Sequence, residues 1–214
     1  MTDPATDLES VLRDLVIANR ILANENVVDA YGHVSVRSPL NPERYYLSCS
    51  RSPELVQRSD IMEFMLDGTP VDTDSRNPYL ERFIHGAAYE ADPAAMAVVH
   101  SHAEEVLPYT ITSQPLQPVI HSAGLMGPEP PVWDIAKNFG DTTLLVVNMD
   151  QGRDLARSLA GNRIALMRGH GFAATGRNLS EVVRVSVMLP RNARTLTTAL
   201  QFGGVKPLSP GEVA

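Results

Sequence analysis

The sequence predicts a mixed β-sheet covered by helices on both faces, a fold of the α/β or α+β class. Two observations carry this prediction. Short apolar segments typical of strands alternate with segments of helical periodicity, and turn residues join strand segments near the start into hairpins. The 214 residues, 43% of them hydrophobic, suffice for one core, so we expect a single domain over residues 1–214 with flexible tails at 1–6 and 205–214.

Two helices and four strands are predicted in the first half of the chain. Apolar side chains recur at helical spacing in both helices, and Asn77 and Pro78 suit the cap and the first turn of the second one. The strand segments are apolar or alternating and are separated by turn residues. The helices are predicted over residues 7–23 and 77–91, and the strands over residues 33–38, 44–50, 60–68 and 95–101.

Three strands and two helices are predicted in the second half. The strand segments are short apolar runs. Gly161 ends the first helix, and Pro190 should kink or interrupt the second. The strands are predicted over residues 116–122, 143–149 and 164–169, and the helices over residues 152–161 and 179–189.

Charge and composition exclude several classes of protein. The net charge is -7 with no block of basic residues, so a nucleic-acid partner is not expected, because phosphate binding needs clustered Lys and Arg. No apolar run reaches the roughly 20 residues of a membrane span, and the acidic start lacks the apolar stretch of a signal peptide. The single Cys49 forms no internal disulfide, which favours a cytoplasmic location.

Two histidines in "AVVHSHA" indicate a metal site. His100 and His102 follow an apolar run typical of a buried strand, and residues two apart on a strand share a face. His170 in "RGHGF" follows another apolar run, and its flanking glycines allow a tight backbone turn. Three imidazoles delivered by two strand ends suit one divalent ion, and the sequence does not choose among Mn, Zn, Fe and Co.

The segment "ERFIHGAAYEADPAAMAVVHSHA", taken together with "RGHGF", resembles the class II aldolase/adducin family, and the resemblance extends over residues 8–200. It implies a three-layer αβα fold of the α/β class with a mixed central β-sheet. It also implies a homotetramer with active sites at subunit interfaces. In such a site a divalent metal is bound by His100, His102 and His170, and Glu81 is the catalytic acid or base.

Departures from the sugar-phosphate aldolases of that family indicate a different substrate. In "GHVSV" a His stands where those enzymes have Asn, and "SCSRS" stands where they have Thr-Gly, so groups that hold a phosphate are missing. An Arg side chain binds a planar carboxylate through two hydrogen bonds. We therefore expect a small-molecule carboxylate substrate, bound by His33, Ser50, Arg51 and Ser52.

The segments "GHVSVR", "SRS" and "ERFIHG" are similar to a branch of the family that decarboxylates hydroxylated aromatic dicarboxylates. The resemblance implies a lyase acting on a compound such as 3,4-dihydroxyphthalate or 3-hydroxy-2-methylpyridine-4,5-dicarboxylate. Glu81, with His121 as a second candidate, is expected to protonate the ring carbon that loses CO2. A resting proton donor needs a raised pKa, which burial of Glu81 beside apolar residues favours.

Two other functions stay open from the sequence. One is an aldolase that cleaves an unphosphorylated hydroxy-keto acid, and the other is an adducin-like binding module, which the presence of all the metal histidines disfavours. Single residues also have structural alternatives. His33 can cap a strand or bond the backbone, Arg51 can be solvated, His121 can be a core histidine, and His85 can be an exposed i,i+4 partner of Glu81.

Overall fold

A mixed seven-stranded sheet forms the middle layer of the computed structural model, which describes residues 4–72 and 75–213. Its strands are β1 (His33–Arg37), β2 (Arg44–Ser48), β3 (Ile61–Met65), β4 (Ala97–Ser101), β5 (Val132–Trp133), β6 (Ile164–Met167) and β7 (Gly171–Gly176). Their order across the sheet is β3-β2-β1-β4-β7-β6-β5. Neighbouring strands are antiparallel except β5 and β6, which are parallel.

Helices cover both faces of this sheet. They are α1 (Pro4–Asn24), α2 (Phe83–Ala91), α3 (Leu107–Ile111), α4 (Ala136–Phe139), α5 (Met149–Leu159) and α6 (Leu179–Gln201). On one face α1 and α6 contribute Leu15 and Leu196 to a buried apolar cluster, and on the other face α2 contributes Ile84 to a second cluster. Successive strand residues point to opposite faces, so Val99 joins the first cluster and Val98 the second. The expected three-layer α/β fold is confirmed.

Two apolar segments that were predicted to be strands form irregular backbone instead, so these predictions are wrong. They are residues 116–122, of which the last two begin a 3₁₀ turn, and residues 143–149, of which the last begins α5. Backbone amides in both segments bond to side chains rather than to a neighbouring strand. The Val119 amide donates to Asn192 Oδ1 at 2.8 Å, and the Val146 amide donates to Glu81 Oε1 at 2.9 Å. Conversely, β5 and β7 are not predicted, because β5 has two residues and β7 consists largely of Gly and Ala.

The helix predicted over residues 77–91 begins later than expected. The Ser50 amide donates to the Asn77 carbonyl at 2.7 Å and Pro78 pairs with the end of β2, so neither residue starts the helix. A short 3₁₀ turn precedes α2, and Glu81 lies at the kink between the two with φ -90° and ψ 20°. This kink, rather than a regular helix face, sets the direction of the Glu81 side chain.

The last helix, α6, continues through Pro190, so the predicted interruption is wrong. Val185 and Leu189 before the proline and Ala193 and Leu196 after it are all buried in the first apolar cluster. Packing on both sides of the proline offsets the backbone hydrogen bond that proline cannot donate.

The two ends of the chain were expected to be flexible tails. Helix α1 begins at Pro4, while residues 1–3 and 214 lie outside the described residues. Near the other end, Val205 packs against the first apolar cluster, and the Leu208 amide donates to the Pro118 carbonyl at 2.8 Å. No described helix combines the length and the apolarity that crossing a bilayer requires.

Candidate metal centre

Four side chains converge at the end of β4. One ligand atom from each of Glu81, His100, His102 and His170 lies within 4.8 Å of the others. Glu81 Oε2 is 3.3 Å from His100 Nε2 and 3.4 Å from His170 Nε2. The distance from Glu81 Oε2 to His102 Nε2 is 4.0 Å. The structure therefore brings the three predicted metal histidines together and adds the Glu81 carboxylate to the same cluster.

A close approach of two strand ends makes this convergence possible. His100 is the fourth residue of β4 and His102 follows the strand, so the two-residue spacing sends both rings to the same side. Gly171 begins the neighbouring β7 with φ +155°, and a Cβ at this position would overlap the Ser101 carbonyl. Glycine is therefore required for the turn that carries His170 to lie against β4.

Each histidine of the cluster is oriented through its Nδ1 atom. The acceptors are the Phe172 carbonyl for His100 at 3.1 Å, the Leu144 carbonyl for His170 at 3.0 Å, and Asp29 Oδ1 for His102 at 3.1 Å. An acceptor at Nδ1 requires the proton there, so in each neutral ring the lone pair is on Nε2. Metal-ligating histidines are typically held in this way.

The arrangement of donor atoms fits a divalent cation. His100 Nε2 is buried without a hydrogen-bond partner, although buried polar atoms normally have one. Glu81 Oε2, 3.3 Å away, is also an acceptor when ionised, so the two atoms repel unless a cation or a proton lies between them. Three imidazoles and one carboxylate suit ions such as Zn, Mn, Fe or Co.

Glu81 is a carboxylate at neutral pH. Burial raises the pKa of Glu81, but the adjacent His100 and His170 rings outweigh burial, and the pKa falls well below its ordinary value. The hydrogen bond from the Val146 amide to Oε1 also favours the charged form. The direction of this shift is opposite to the raised pKa that a resting proton donor needs.

Asp29 belongs to the site although no sequence pattern identified it. It lies in the turn before β1, where Oδ1 also accepts hydrogen bonds from the Tyr31 and Gly32 amides at 2.9 and 2.7 Å. Burial and the charge of His100 lower the pKa of His102 to about 4, while Asp29 acts in the opposite direction. The segment "DAYG" signals the turn, but the partnership joins residues 73 positions apart and leaves no local signature.

His33 lies beside the cluster, opposite His100 in the register of β1 and β4. Its ring centroid is 5.3 Å from that of His100 and 4.4 Å from that of Tyr79. Nδ1 of His33 lies 2.7 Å from Nε2 of His85, and both rings are buried. The alternatives of a His33 bonded to backbone and of an exposed His85 beside Glu81 are therefore wrong.

The other residues predicted to bind a carboxylate, Ser50, Arg51 and Ser52, lie in the loop after β2 and outside the four-residue cluster. Arg51 Nε donates to the Leu55 carbonyl at 3.0 Å and lies 3.4 Å from Asp60 Oδ2. The Tyr79 hydroxyl donates to the Arg51 carbonyl, and the Tyr79 ring contacts His33. The loop is thus connected to the cluster through Tyr79, while the Arg51 guanidinium forms an ion pair with Asp60.

His121, the second predicted proton donor, is exposed at the start of the 3₁₀ turn His121–Met126. The alternative of a core histidine is therefore wrong. Among the described residues the candidate metal cluster does not include His121.

A cavity of about 500 Å³ opens beside His102. Its lining includes Asp29, Val28 and Glu104. A space of this size is typical of small-molecule sites. The acidic lining repels a carboxylate, so an anionic ligand here needs a cation or hydrogen-bond donors to hold it.

Sequence comparisons identify relatives that match most of the chain. The sequence model described as "Class II Aldolase and Adducin N-terminal domain" matches residues 13–197. Decarboxylase tropJ of Talaromyces stipitatus is 37% identical over 202 residues, covering 88% of this chain and 76% of that protein. The 3,4-dihydroxyphthalate decarboxylase of Terrabacter sp. strain DBF63 is 23% identical, covering 91% of this chain and 83% of that protein.

A structural comparison agrees on the fold. L-fuculose 1-phosphate aldolase from Glaciozyma antarctica PI12 superposes with a TM-score of 0.81, covering 100% of this chain and 82% of that chain. The sequence identity is 21%, so this likeness shows the three-layer fold and nothing about the substrate.

Proposed function

Since the chain belongs to the class II aldolase and adducin family, we propose that it is a metal-dependent decarboxylase, a carbon–carbon lyase acting on a hydroxylated aromatic carboxylate. The convergence of three imidazole Nε2 atoms on the Glu81 carboxylate carries this proposal. Two relatives named as decarboxylases support the type of reaction. Substrates that fit are 3,4-dihydroxyphthalate and 3-hydroxy-2-methylpyridine-4,5-dicarboxylate.

His100, His102 and His170 would hold the metal ion, with Mn, Zn, Fe and Co as the candidates. The Nδ1 atoms of the three rings are anchored, so their lone pairs are fixed in direction before any ion binds. A bound divalent ion supplies Lewis-acid stabilisation of the negative charge that develops when the carbon–carbon bond breaks.

Glu81 would act first as a base and then as an acid, because its lowered pKa leaves it ionised at rest. It accepts the proton of the substrate hydroxyl next to the departing carboxylate. Glu81 then delivers this proton to the ring carbon that carries the departing carboxylate. The carbon–carbon bond breaks, CO2 leaves, and the electron pair of that bond restores the aromatic ring as a phenolate, which water re-protonates after release. His121 is the alternative donor if Glu81 is itself a metal ligand.

His33 and the Ser50–Ser52 loop would bind the carboxylate that is not lost. His33 lies beside His100, and the loop reaches His33 through Tyr79. Arg51 is 42% exposed and paired with Asp60, so a substrate carboxylate can replace Asp60 as its partner.

We further propose that the whole chain, residues 1–214, is one domain of a cytoplasmic homotetramer with active sites at subunit interfaces. The family supports this assembly. Exposed apolar side chains on or beside the outer helices, Ile17, Ile21 and Phe202, are 47%, 42% and 86% exposed and would be covered by another copy. A stable, fully active monomer in sedimentation would remove the tetramer from the proposal.

The test is to load separate samples with each candidate metal and to offer the two aromatic acids and an unphosphorylated hydroxy-keto acid. Release of CO2 in equal amount to the decarboxylated aromatic product supports the proposal. Release of an aldehyde without CO2 would assign the chain to the aldolase alternative. A metal-free protein with full activity would refute metal dependence, so metal content is measured on the same samples.

A further inference from the structure

A row of buried polar side chains runs from His33 away from the candidate metal centre. Nδ1 of His33 lies 2.7 Å from Nε2 of His85, and Nδ1 of His85 lies 2.6 Å from Ser35 Oγ. The same Ser35 oxygen lies 2.8 Å from the Tyr89 hydroxyl. All four side chains are at most 1% exposed, so water does not replace these hydrogen bonds. His85, Ser35 and Tyr89 have no part in the reaction steps proposed above.

The direction of these hydrogen bonds follows from Tyr89. Burial raises the pKa of Tyr89, so the phenol keeps its proton and has to donate it. Its hydrogen-bond acceptor among the described residues is Ser35 Oγ. Ser35 then donates to His85 Nδ1, which places the His85 proton on Nε2. His85 in turn donates to His33 Nδ1, so the His33 proton is on Nε2.

The opposite direction is disfavoured because it would leave the Tyr89 hydroxyl without an acceptor. A buried hydroxyl without an acceptor is costly.

The outer end of the row is the Nε2–H of His33, next to His100. This atom has no hydrogen-bond partner within the part of the chain that the structure describes, and the His33 ring lies 5.3 Å from the His100 ring. We propose that His85 is a positioning residue that, with Ser35 and Tyr89, holds His33 in the Nε2–H tautomer, so that His33 donates a hydrogen bond to an anionic oxygen of the substrate. This inference rests on the proposed function, because it takes the ligand to be an aromatic carboxylate.

The tautomer decides what His33 can recognise. With its proton on Nε2 the ring donates to a carboxylate or phenolate oxygen, whereas the other tautomer presents a lone pair that repels such an oxygen. The buried row thus supplies a donor whose direction is fixed by its hydrogen bonds.

The tautomer can be measured without any substrate. In the zinc-loaded wild-type protein with ¹⁵N-labelled histidine, long-range ¹H–¹⁵N correlation spectra distinguish protonated from unprotonated ring nitrogens, and His33→Gln identifies the His33 signals. We expect Nε2 protonated and Nδ1 unprotonated in both His33 and His85. A proton on Nδ1 of His33 would overturn the inference, whatever the variants below do.

A double-mutant cycle tests whether His85 acts through His33. The measurement is the affinity for 3,4-dihydroxyphthalate by calorimetry, with metal content checked on each sample. His33→Phe and His85→Leu should each weaken binding about tenfold, the lower end for a hydrogen bond to a charged group. The double variant should also be about tenfold weaker, because the second change removes nothing further. Independent losses that multiply to about a hundredfold would show that His85 is merely structural.

Two further variants complete the cycle. His85→Gln retains an N–H that can donate to His33 Nδ1, so its affinity should return to within about threefold of wild type. Tyr46→Phe removes a phenol hydroxyl that bonds Glu63 elsewhere in the same sheet, and binding should be unchanged. A loss in Tyr46→Phe equal to that in His85→Leu would mean that any missing buried hydroxyl or ring has this effect, and would refute positioning.

Failure of the proposed function gives a different pattern. If the wild-type protein neither binds 3,4-dihydroxyphthalate nor releases CO2 from it, the assignment of the substrate is wrong and the recognition step is refuted with it. The spectra of the wild-type protein then still decide whether His85 fixes the tautomer of His33.

Discussion

Replacing Asp29 should weaken metal binding although Asp29 is not expected to touch the metal. The partners of His100 and His170 at Nδ1 are backbone carbonyls, which a side-chain substitution does not remove. Asp29 is the side chain that orients His102, through a hydrogen bond of 3.1 Å. Asp29→Asn removes the charge but keeps an acceptor oxygen, which preserves the turn. Asp29→Ala removes the charge and the acceptor oxygen.

The size of the effect follows from the exposure of Asp29. A hydrogen bond to a charged group contributes about 1.5–3 kcal/mol, and loss of such a partner typically costs a metal site about 10–100-fold in affinity. The Asp29 side chain is 51% exposed, so solvent screens it and the lower end applies to Asp29→Asn, which is about tenfold. Asp29→Ala should approach the upper end, because Oδ1 also accepts from the Tyr31 and Gly32 amides.

Competition against a zinc chelator of known affinity measures both variants. Glu104→Gln is the matched control, since Glu104 is a second carboxylate lining the same cavity and has no hydrogen bond to a cluster histidine in the described chain. The control should bind metal as the wild type does. Wild-type affinity in Asp29→Ala would refute the reasoning, and equal losses in Asp29→Asn and Glu104→Gln would show that only net charge matters.

Three further predictions concern the reaction and the fold. Glu81→Gln should keep the metal and nearly the same KM but lose about 10²–10⁴-fold in kcat, because proton transfer needs an ionisable group. His100→Ala should lose metal and activity together. If the Glu81→Gln protein is metal-free, Glu81 is a metal ligand instead. Arg51→Ala should raise KM for a dicarboxylate about ten- to hundredfold and for a monocarboxylate much less, and an unchanged KM would remove Arg51 from the site. Acid should destabilise the metal-free protein, because burial lowers the pKa of His85 from 6.5 to about 3, so its contribution is complete above pH 6.5 and is lost as the pH falls toward 3. The loss is at most about 1.4 kcal/mol per pH unit, and urea unfolding between pH 7 and pH 4 measures it; an identical pH profile for His85→Gln would contradict this origin.

The convergence of the candidate metal histidines could be predicted because their signals are local. His100 and His102 are two residues apart, so on a strand their side chains point to the same face of the sheet. The glycines on either side of His170 indicate a tight turn. These three positions are enough to suggest a single site. The helices and most strands are also local in origin, since each depends on the period of its own apolar residues.

The remaining parts of the site depend on contacts between distant segments. Asp29 is hydrogen-bonded to His102, which lies 73 positions later in the sequence. Residues 143–149 have the side chains of a strand, but the Val146 amide donates to Glu81 instead of to a neighbouring strand. The electrostatics of Glu81 could not be predicted either. Burial and histidine neighbours act on its pKa in opposite directions, and only the distances decide between them.

One short stretch of irregular backbone holds two of the four donor groups. The carbonyl of Leu144, a residue with φ +68°, accepts from His170 Nδ1, and the amide of Val146 donates to Glu81 Oε1. Neither contact involves the side chains of these two residues, so a substitution that keeps them apolar and leaves the backbone in place keeps the contacts. An insertion or a shift here, in contrast, would alter the distance between His170, a proposed metal ligand, and the Glu81 carboxylate without replacing either. Such a segment gives evolution a way to change the reaction while every functional side chain is inherited intact.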